Sequence, residues 1–121
     1  MPVVKIAIDT GSSVPPYEQV RMQVIEGVRS GALAVGERLP TVRALAAELG
    51  IAANTVARAY RELEHDEVIE TRGRAGTFVS AHGDATERQA QLAARAFADR
   101  IRELGVDHTL ALELARAALR D

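Results

Sequence analysis

Three polar side chains recur at steps of four and three residues in one segment of the chain: Asn54, Arg58 and Arg61. The apolar residues between them have helical spacing, so we expect these three side chains to share the outward face of a helix. Asparagine can bond adenine through two hydrogen bonds, and arginine can bond guanine in the same way, so such a face suits the major groove of DNA. Thr55, in the first turn of the same helix, could donate to a phosphate beside the helix N-terminal amides.

Further candidates lie on either side of this helix. Arg43 leaves the apolar face of a short preceding helix, where it could reach a phosphate or a base. Thr41 is a good N-cap for that short helix. Arg72 and Arg74 flank a glycine at the tip of a predicted hairpin, from which they could enter the minor groove or follow the backbone. The candidate DNA-binding residues are therefore Thr41, Arg43, Asn54, Thr55, Arg58, Arg61, Arg72, Gly73 and Arg74.

The overall charge argues against nucleic-acid binding, but the distribution of charge does not. The chain carries 15 Lys and Arg against 17 Asp and Glu, a net charge of −2 at pH 7, whereas DNA-binding proteins are usually basic. Residues 41–61 contain three arginines and one acid, and residues 62–70 contain five acids and no base. This segregation predicts a local positive face on an acidic protein.

The elements that would position these residues follow the order of a winged helix-turn-helix. The short helix after Thr41 ends at Gly50, and the third helix follows after only a few residues. Two β-prone segments after that helix would pair as a hairpin, the wing. The predicted elements up to this point are a short strand or extended arm at 3–9, helices at 14–30 and 42–49, the third helix, and strands at 67–71 and 77–80.

The rest of the chain predicts a two-helix tail. Asp84 with Glu87 resembles a capping box at the start of a helix that runs to about Leu104. Asp107 could cap a last helix. The apolar faces of these helices are too broad for a monomer to bury, so we expect a homodimer. The predicted dimerisation residues are Leu92, Ala96, Phe97, Ile101, Leu104, Leu110, Leu114 and Leu119.

The predicted fold class is therefore mainly α with a small β wing. Residues 1–80 would form a winged helix-turn-helix DNA-binding domain, and residues 84–121 a two-helix C-terminal dimerisation tail. A two-fold dimer would place two recognition helices about 34 Å apart, one turn of B-DNA, so the DNA site should be an inverted repeat.

The composition excludes several other classes of site. The chain has no cysteine, which excludes disulfides, thiolate metal sites and cysteine nucleophiles and fits a cytoplasmic protein. The three histidines are far apart in sequence without a helical ligand pair, so we expect no metal and no cofactor. No carboxylate pair, Ser/His/Asp set or phosphate-cradling loop stands out, so we expect no enzyme. No apolar run approaches the roughly 20 residues of a membrane helix, so we expect no membrane partner.

An ordered series of motifs runs through residues 15–79. Its main members are Pro16-Tyr17-Glu18-Gln19, Leu39-Pro40-Thr41-x-Arg43, Leu49-Gly50-Ile51, Asn54-Thr55-Val56-Ala57-Arg58 and Gly76-Thr77-Phe78-Val79. This series resembles the DNA-binding domain of GntR-type bacterial transcription regulators. The short two-helix remainder is similar to that of the small YtrA-type subgroup. The resemblance implies a homodimeric repressor, often of nearby transport genes.

The resemblance also implies positions for DNA contacts and reveals one departure. Arg43, Thr55, Arg58 and the tip around residues 72–74 match places where the family contacts DNA. Where the family often has Ser, Thr or Asn before the third helix, this chain has Ala52 and Ala53, which removes a cap worth about 1 kcal/mol. Asn54 could replace it by starting the helix later, so its role as base reader or as cap stays open.

Two alternatives remain open at this point. A winged helix can also serve as a dimeric protein-interaction adaptor without sequence-specific DNA binding, since fold does not determine function. A small-molecule effector could sit at the seam between the tail and the DNA-binding domain. The tail is too short to enclose a pocket of about 300 Å³ or more, so we expect no large buried ligand site within one chain.

Overall fold

The computed structural model describes residues 6–83 and 85–120. Within these ranges the chain forms five α-helices and one two-stranded antiparallel sheet. The helices are α1 (Pro16–Ser30), α2 (Val42–Leu49), α3 (Ala53–His65), α4 (Ala85–Leu104) and α5 (His108–Arg120), and the strands are β1 (Ile69–Thr71) and β2 (Thr77–Val79). The predicted fold class, mainly α with a small β wing, is confirmed.

Helix α1 begins two residues later than predicted. Pro15 is its N-cap, with φ −59° and ψ 148°, and the Pro15 carbonyl accepts hydrogen bonds from the amides of Glu18 and Gln19 at 3.0 Å. Val14 stays outside the helix because a residue that precedes proline is biased toward extended backbone. The helix ends as predicted, because Gly31 adopts the left-handed conformation with φ +82°.

The described part of the N-terminal segment, residues 6–9, is an extended arm without strand pairing. Two glutamine side chains of α1 bond this arm as a neighbouring strand would. Gln23 accepts from the Ala7 amide at 3.1 Å and donates to the Ala7 carbonyl at 2.8 Å. Gln19 bonds the amide and the carbonyl of Asp9 at 2.8 and 3.1 Å. Residues 3–5 of the predicted strand or arm lie outside the described residues.

Helices α2 and α3 form the predicted helix-turn-helix. The hydroxyl oxygen of Thr41 accepts a hydrogen bond from the Ala44 amide at 3.1 Å, so Thr41 is the N-cap of α2. Gly50 ends α2 in the left-handed conformation, with φ +68°. Because only Ile51 and Ala52 separate Gly50 from α3, the turn between the two helices is short.

A third segment pairs with the two strands of the wing, and the sequence does not predict this pairing. Strand β1 pairs with β2, with Ile69 opposite Val79. The connector before α2 then joins the other side of β2: Val79 donates to the carbonyl of Glu37 at 2.9 Å, and Leu39 donates to the carbonyl of Thr77 at 2.8 Å. These bonds tie the wing to the segment that leads into the helix-turn-helix.

The hydrophobic core lies where α1 packs across α3 and the wing closes over one side. Its most deeply buried side chains, Val20, Val24, Val56, Leu63 and Val79, are at most 1% exposed. They come from α1, α3 and β2, so the core joins the first helix, the third helix and the wing into one unit.

The tail helices begin and end close to the predicted positions. Gly105, with φ +70°, follows the end of α4. The carboxylate of Asp107 accepts from the Leu110 amide at 2.9 Å and caps α5. Asp84, part of the predicted capping box, lies outside the described residues. None of the helices in the described ranges is both long and apolar enough to cross a membrane.

Replacement of Tyr60 by Phe tests the link between α3 and the connector. The Tyr60 hydroxyl donates to the Pro40 carbonyl at 2.7 Å, so we expect Tyr60→Phe to lower the free energy of unfolding by about 1 kcal/mol near neutral pH. Burial raises the pKa of Tyr60 in the folded protein. Its contribution to stability is therefore complete below the ordinary tyrosine pKa of about 10 and is lost as the pH rises above that value.

Urea unfolding on both sides of that pH measures the effect. The free energy of unfolding of the wild type should fall more steeply at alkaline pH than that of Tyr60→Phe. Tyr17→Phe is the matched control, since it removes a tyrosine hydroxyl but keeps Tyr60. Equal alkaline slopes for all three proteins would contradict the buried environment of Tyr60.

Candidate nucleic-acid interface

The first turn of α3 decides the position of Asn54. Ala52 is the N-cap, with φ −68° and ψ 143°, and no side chain caps the helix. The Ala52 carbonyl accepts from the amides of Thr55 at 3.0 Å and Val56 at 3.4 Å, so the helix has already begun at Ala53. The alternative in which Asn54 caps a later helix is therefore wrong. Asn54 is an exposed residue of the first turn, and its side-chain amide bonds no other described residue.

The outward face of α3 carries the predicted polar residues. Val56, Ala59, Tyr60 and Leu63 are buried on the inner face. Helical geometry then places the face that contains Asn54, Arg58 and Arg61 on the opposite side, and all three are exposed. Thr55 lies at the flank and is half-buried.

His65 is a further residue of this outward face and is not among the candidates predicted from the sequence. His65 follows Arg61 by four residues, and its side chain is 90% exposed and lies 3.5 Å from the carboxylate of Asp66. The four-residue step from Arg61 to His65 is the same as the step from Asn54 to Arg58, so the sequence spacing could have identified His65.

Arg58 is held by two neighbours. Its guanidinium carbon lies 3.6 Å from the centre of the Tyr17 ring of α1. Its Nε donates to the carboxylate of Glu62 at 3.2 Å, one turn further along α3. No spacing in the sequence points to Tyr17, because the contact joins two helices that are distant in the chain.

The start of α2 presents two more candidates. Arg43 is exposed in the first turn and has no polar partner among the described residues. Thr41 uses its hydroxyl oxygen as the acceptor of the helix cap, which leaves the hydroxyl proton able to donate to a phosphate.

The two arginines of the wing, Arg72 and Arg74, have different surroundings. The guanidinium of Arg72 lies 4.4 Å from the centre of the Phe78 ring and 3.2 Å from the carboxylate of Glu70. A cavity of about 230 Å³ beside Arg72 is also lined by Leu92 of α4, so Arg72 faces the tail. Arg74 lies in the single 3-10 turn at the tip, is exposed, and has no polar partner among the described residues.

Two glycines shape the tip of the wing. Gly73 starts the turn with φ +54°. Gly76 has φ +117°, and a Cβ at this position would lie 2.7 Å from Nε of Arg38. Arg38 is an exposed cation of the connector that the sequence analysis did not select, and the missing side chain of Gly76 is what lets it approach the wing.

Not every arginine near this surface is available for an external ligand. Arg21 of α1 donates to Glu18 through Nε and, at 2.9 Å, through a terminal nitrogen. This pairing lowers the pKa of Glu18 and raises that of Arg21. Arg21 is therefore an internal partner of Glu18, in contrast to Arg43, Arg61 and Arg74.

The tail exposes most of the predicted dimerisation residues. Ala96 and seven large apolar side chains of α4 and α5 are exposed, from 42% for Phe97 to 86% for Leu119. The seven are Leu92, Phe97, Leu104, Leu110, Leu112, Leu114 and Leu119. Ile101 is only 9% exposed within a single chain. Ala111 of α5 is also buried.

A cavity of about 940 Å³ lies between the tail and the three-helix core. Val24 and Leu45 line one side, and Arg95, Arg102 and His108 line the other. Its volume is within the range of about 300–1,000 Å³ common for ligand sites, but the space is partly open to solvent, so the absence of a large buried ligand site within one chain stays a prediction. The cavity arises because the tail makes few contacts with α1, α2 and α3. Among the described residues no group of three His, Asp or Glu side chains could hold a metal ion.

Comparison with known families identifies the segment that carries these residues. The sequence profile described as "Bacterial regulatory proteins, gntR family" matches residues 16–79. The matched segment runs from the start of α1 to the end of β2 and includes every predicted DNA-binding residue.

Individual relatives extend this similarity. The HTH-type transcriptional regulator Rv1152 of Mycobacterium tuberculosis is 52% identical over 101 residues, which cover 84% of this chain and 83% of that protein. The HTH-type transcriptional repressor YtrA of Bacillus subtilis is 45% identical over 82 residues, 67% of this chain and 62% of that protein. Among solved structures, "YtrA from Sulfolobus acidocaldarius, a GntR-family transcription factor" has a TM-score of 0.60 at 32% identity and covers 79% of this chain and 98% of that chain.

Replacement of Ala52 tests the observed start of α3. Because Ala52 has N-cap geometry without a capping side chain, Ala52→Ser should raise the free energy of unfolding by about 1 kcal/mol. Ala53→Ser is the matched control, since a residue inside the first turn cannot cap the same amides, and it should change stability by less than about 0.5 kcal/mol. Thermal or urea unfolding gives both values. Absence of a gain at Ala52 would contradict a helix that begins at Ala53.

Proposed function

The chain belongs to the GntR family of bacterial regulatory proteins, and from this premise we propose that it is a homodimeric transcriptional repressor that binds an inverted-repeat operator. The family and its named relatives are regulators of transcription and not enzymes. Repression is favoured because the relative from Bacillus subtilis is named a repressor. Its transport-gene target is an expectation from the family resemblance. The proposed partner is chromosomal DNA, so the protein would act in the bacterial cytoplasm.

The observation that carries the proposal is the exposed outer face of α3. Asn54, Arg58 and Arg61 project from one side of a helix whose other side is buried. A helix of this kind fits the major groove, where Asn and Arg side chains can bond base edges. Arg43 and Arg74 lie on the elements before and after α3 without polar partners among the described residues, so their charged groups are available for contacts to the DNA backbone.

These positions support separate roles. Asn54 and Arg58 are assigned to base edges, because they lie in the first half of α3 on its outward face. Thr41, Arg43, Thr55 and Arg61 are assigned to phosphates next to the two helices. Gly73 and Arg74 form the exposed tip and are assigned to the minor groove or its backbone. Arg72 is left out of this assignment because it lines a cavity together with Leu92 of α4.

The tail supports the dimer. Seven large apolar side chains exposed on two helices are more than a monomeric protein usually leaves in water. A two-fold dimer would bury them and bring two copies of α3 to successive major grooves, about 34 Å apart. Bound in this way, the protein would block RNA polymerase by occupying the DNA.

Selection of duplex DNA from a random pool is the experiment that tests this function. At near-physiological salt, and with the size of the protein measured in the same buffer, we expect a dimer to recover an inverted repeat. Binding should weaken steeply as the salt concentration rises, because contacts to phosphates release counterions. A folded dimer that recovers no sequence above background would contradict the proposal and favour the protein-interaction adaptor.

Variants of two arginines then separate base reading from backbone binding on the selected operator. Arg58→Ala should cost about 1–3 kcal/mol against the preferred base at one position, and Arg74→Ala should weaken all sequences alike and reduce the salt slope by about 1. Arg29→Ala is the control, since Arg29 is exposed in the last turn of α1, far from α3's outer face. Equal binding of the Arg58 variant to every sequence would exclude Arg58 as a base reader.

A charge placed in the tail tests the dimer. Leu114 is 49% exposed on α5, so Leu114→Glu should leave the fold of one chain intact. If this face is buried between two chains, the unpaired carboxylate should shift the protein from dimer to monomer and weaken operator binding at least tenfold. Sedimentation equilibrium measures the first effect and operator titration the second. Met22→Glu, at an apolar residue 51% exposed on α1, is the matched control and should remain dimeric; a dimeric Leu114→Glu would exclude this interface.

A further inference from the structure

We infer that Tyr17 and Glu62 are positioning residues that orient Arg58 for base reading, so that the start of α1 takes part in sequence discrimination. The inference rests on the proposed function, in which Arg58 reads a base. It assigns a role to a residue of α1, outside the helix-turn-helix, and to an acid on the recognition helix itself.

The geometry leaves one edge of the Arg58 guanidinium free. Glu62 accepts the hydrogen of Nε at 3.2 Å, and the Tyr17 ring covers one face of the guanidinium at 3.6 Å. Neither terminal nitrogen of Arg58 bonds any described residue. These two nitrogens form the edge that can bond guanine O6 and N7 together. The Tyr17 ring and the Glu62 carboxylate therefore hold one face and the Nε of the guanidinium, neither of which is needed to bond guanine.

Neighbouring arginines do not share this arrangement. Arg21 donates to Glu18 through both Nε and a terminal nitrogen, so its bonding edge is occupied. Arg61, one turn from Arg58 on the same face, has no polar partner among the described residues. Arg58 alone on this face is held and still has its terminal edge free. A held side chain loses less rotamer freedom on binding than a free one, which favours discrimination between bases.

The negative charge of Glu62 also supports a positioning role. A carboxylate on a recognition helix repels phosphates, so on charge alone it weakens binding to every sequence. In this proposal its bond to Nε of Arg58 offsets the cost at the correct sequence, because it orients Arg58 for the base. Loss of the charge should therefore have opposite effects on total affinity and on discrimination, which a purely structural residue would not produce.

The test measures the affinity of the full-length protein for its selected operator and for the same duplex changed at the base pair that Arg58 reads. Tyr17→Leu, which keeps apolar volume but removes the ring, should reduce the ratio of the two affinities about two- to fivefold, the size of an exposed cation–π contact. Tyr17→Phe keeps the ring and should retain the ratio. Glu62→Met, which removes the acceptor oxygens at a similar side-chain length, should reduce the ratio while raising affinity for an unrelated duplex. In the Arg58→Ala background none of these changes should alter the ratio further.

A DNA-independent readout uses the Nε–Hε resonance of Arg58 in ¹⁵N-labelled protein, identified by its absence in Arg58→Lys. The aromatic ring should shift this resonance upfield in the wild type and in Tyr17→Phe, and the shift should be lost in Tyr17→Leu. Thermal unfolding of each variant confirms that it is folded, and Glu62→Met keeps the test valid if Tyr17→Leu is not folded.

The outcomes separate the two claims. A wild type that selects no operator removes the proposed function and this inference with it. A selective wild type whose ratio falls in Arg58→Ala but is unchanged in Tyr17→Leu and Glu62→Met overturns the inference alone. A fall in the ratio that persists to the same extent in the Arg58→Ala background also overturns it, because Tyr17 would then act independently of Arg58.

Discussion

The packing of α1 across α3 determines where the candidate DNA contacts lie. Val56 and Leu63 bury one side of α3 against the valines of α1, so the opposite side of α3 is left to solvent. Because a helix turns every 3.6 residues, the choice of inner residues also selects the outer ones. Tyr17 belongs to the same α1 that forms the core, so the packing that stabilises the fold also places an aromatic ring beneath Arg58. Stability and recognition therefore depend on one helix pair.

Local signals in the sequence predict most elements, because each signal acts over a few residues. Thr41 and Gly50 mark the ends of α2 through a cap bond and a left-handed turn, both visible in the residue types. The start of α3 could not be predicted, since Ala52 carries no capping group and Asn54 offered a competing signal. The connector that pairs with the wing and the orientation of Arg72 toward α4 depend on contacts between distant segments. Periodicity does not encode such contacts.

The tail shows a second limit of prediction from sequence, because apolar spacing does not say which chain covers an apolar face. Its apolar spacing predicts two helices correctly, yet in one chain Ile101 and Ala111 are the buried apolar residues among its described positions. The exposed leucines are thus the surface that a second copy would have to cover. The same loose packing leaves the cavity of about 940 Å³ between the tail and the core. The volume of this space is within the range of about 300–1,000 Å³ that ligand sites commonly have.

The kind of cation matters more in this protein than the amount of positive charge. The chain has fourteen arginines and one lysine, and its net charge is −2. Since a chain with this net charge has little overall attraction to phosphates, the orientation of individual cations matters for the proposed discrimination between DNA sequences. A guanidinium can stack on a ring and bond a carboxylate through Nε while its terminal edge stays free, whereas an ammonium group offers no such division. The pairing of an aromatic ring and a glutamate occurs at Arg58 and again at Arg72 with Phe78 and Glu70. Arg58 lies on the outer face of α3, and Arg72 lines a cavity together with Leu92 of α4, so the same local chemistry orients one arginine on α3 and one beside the tail.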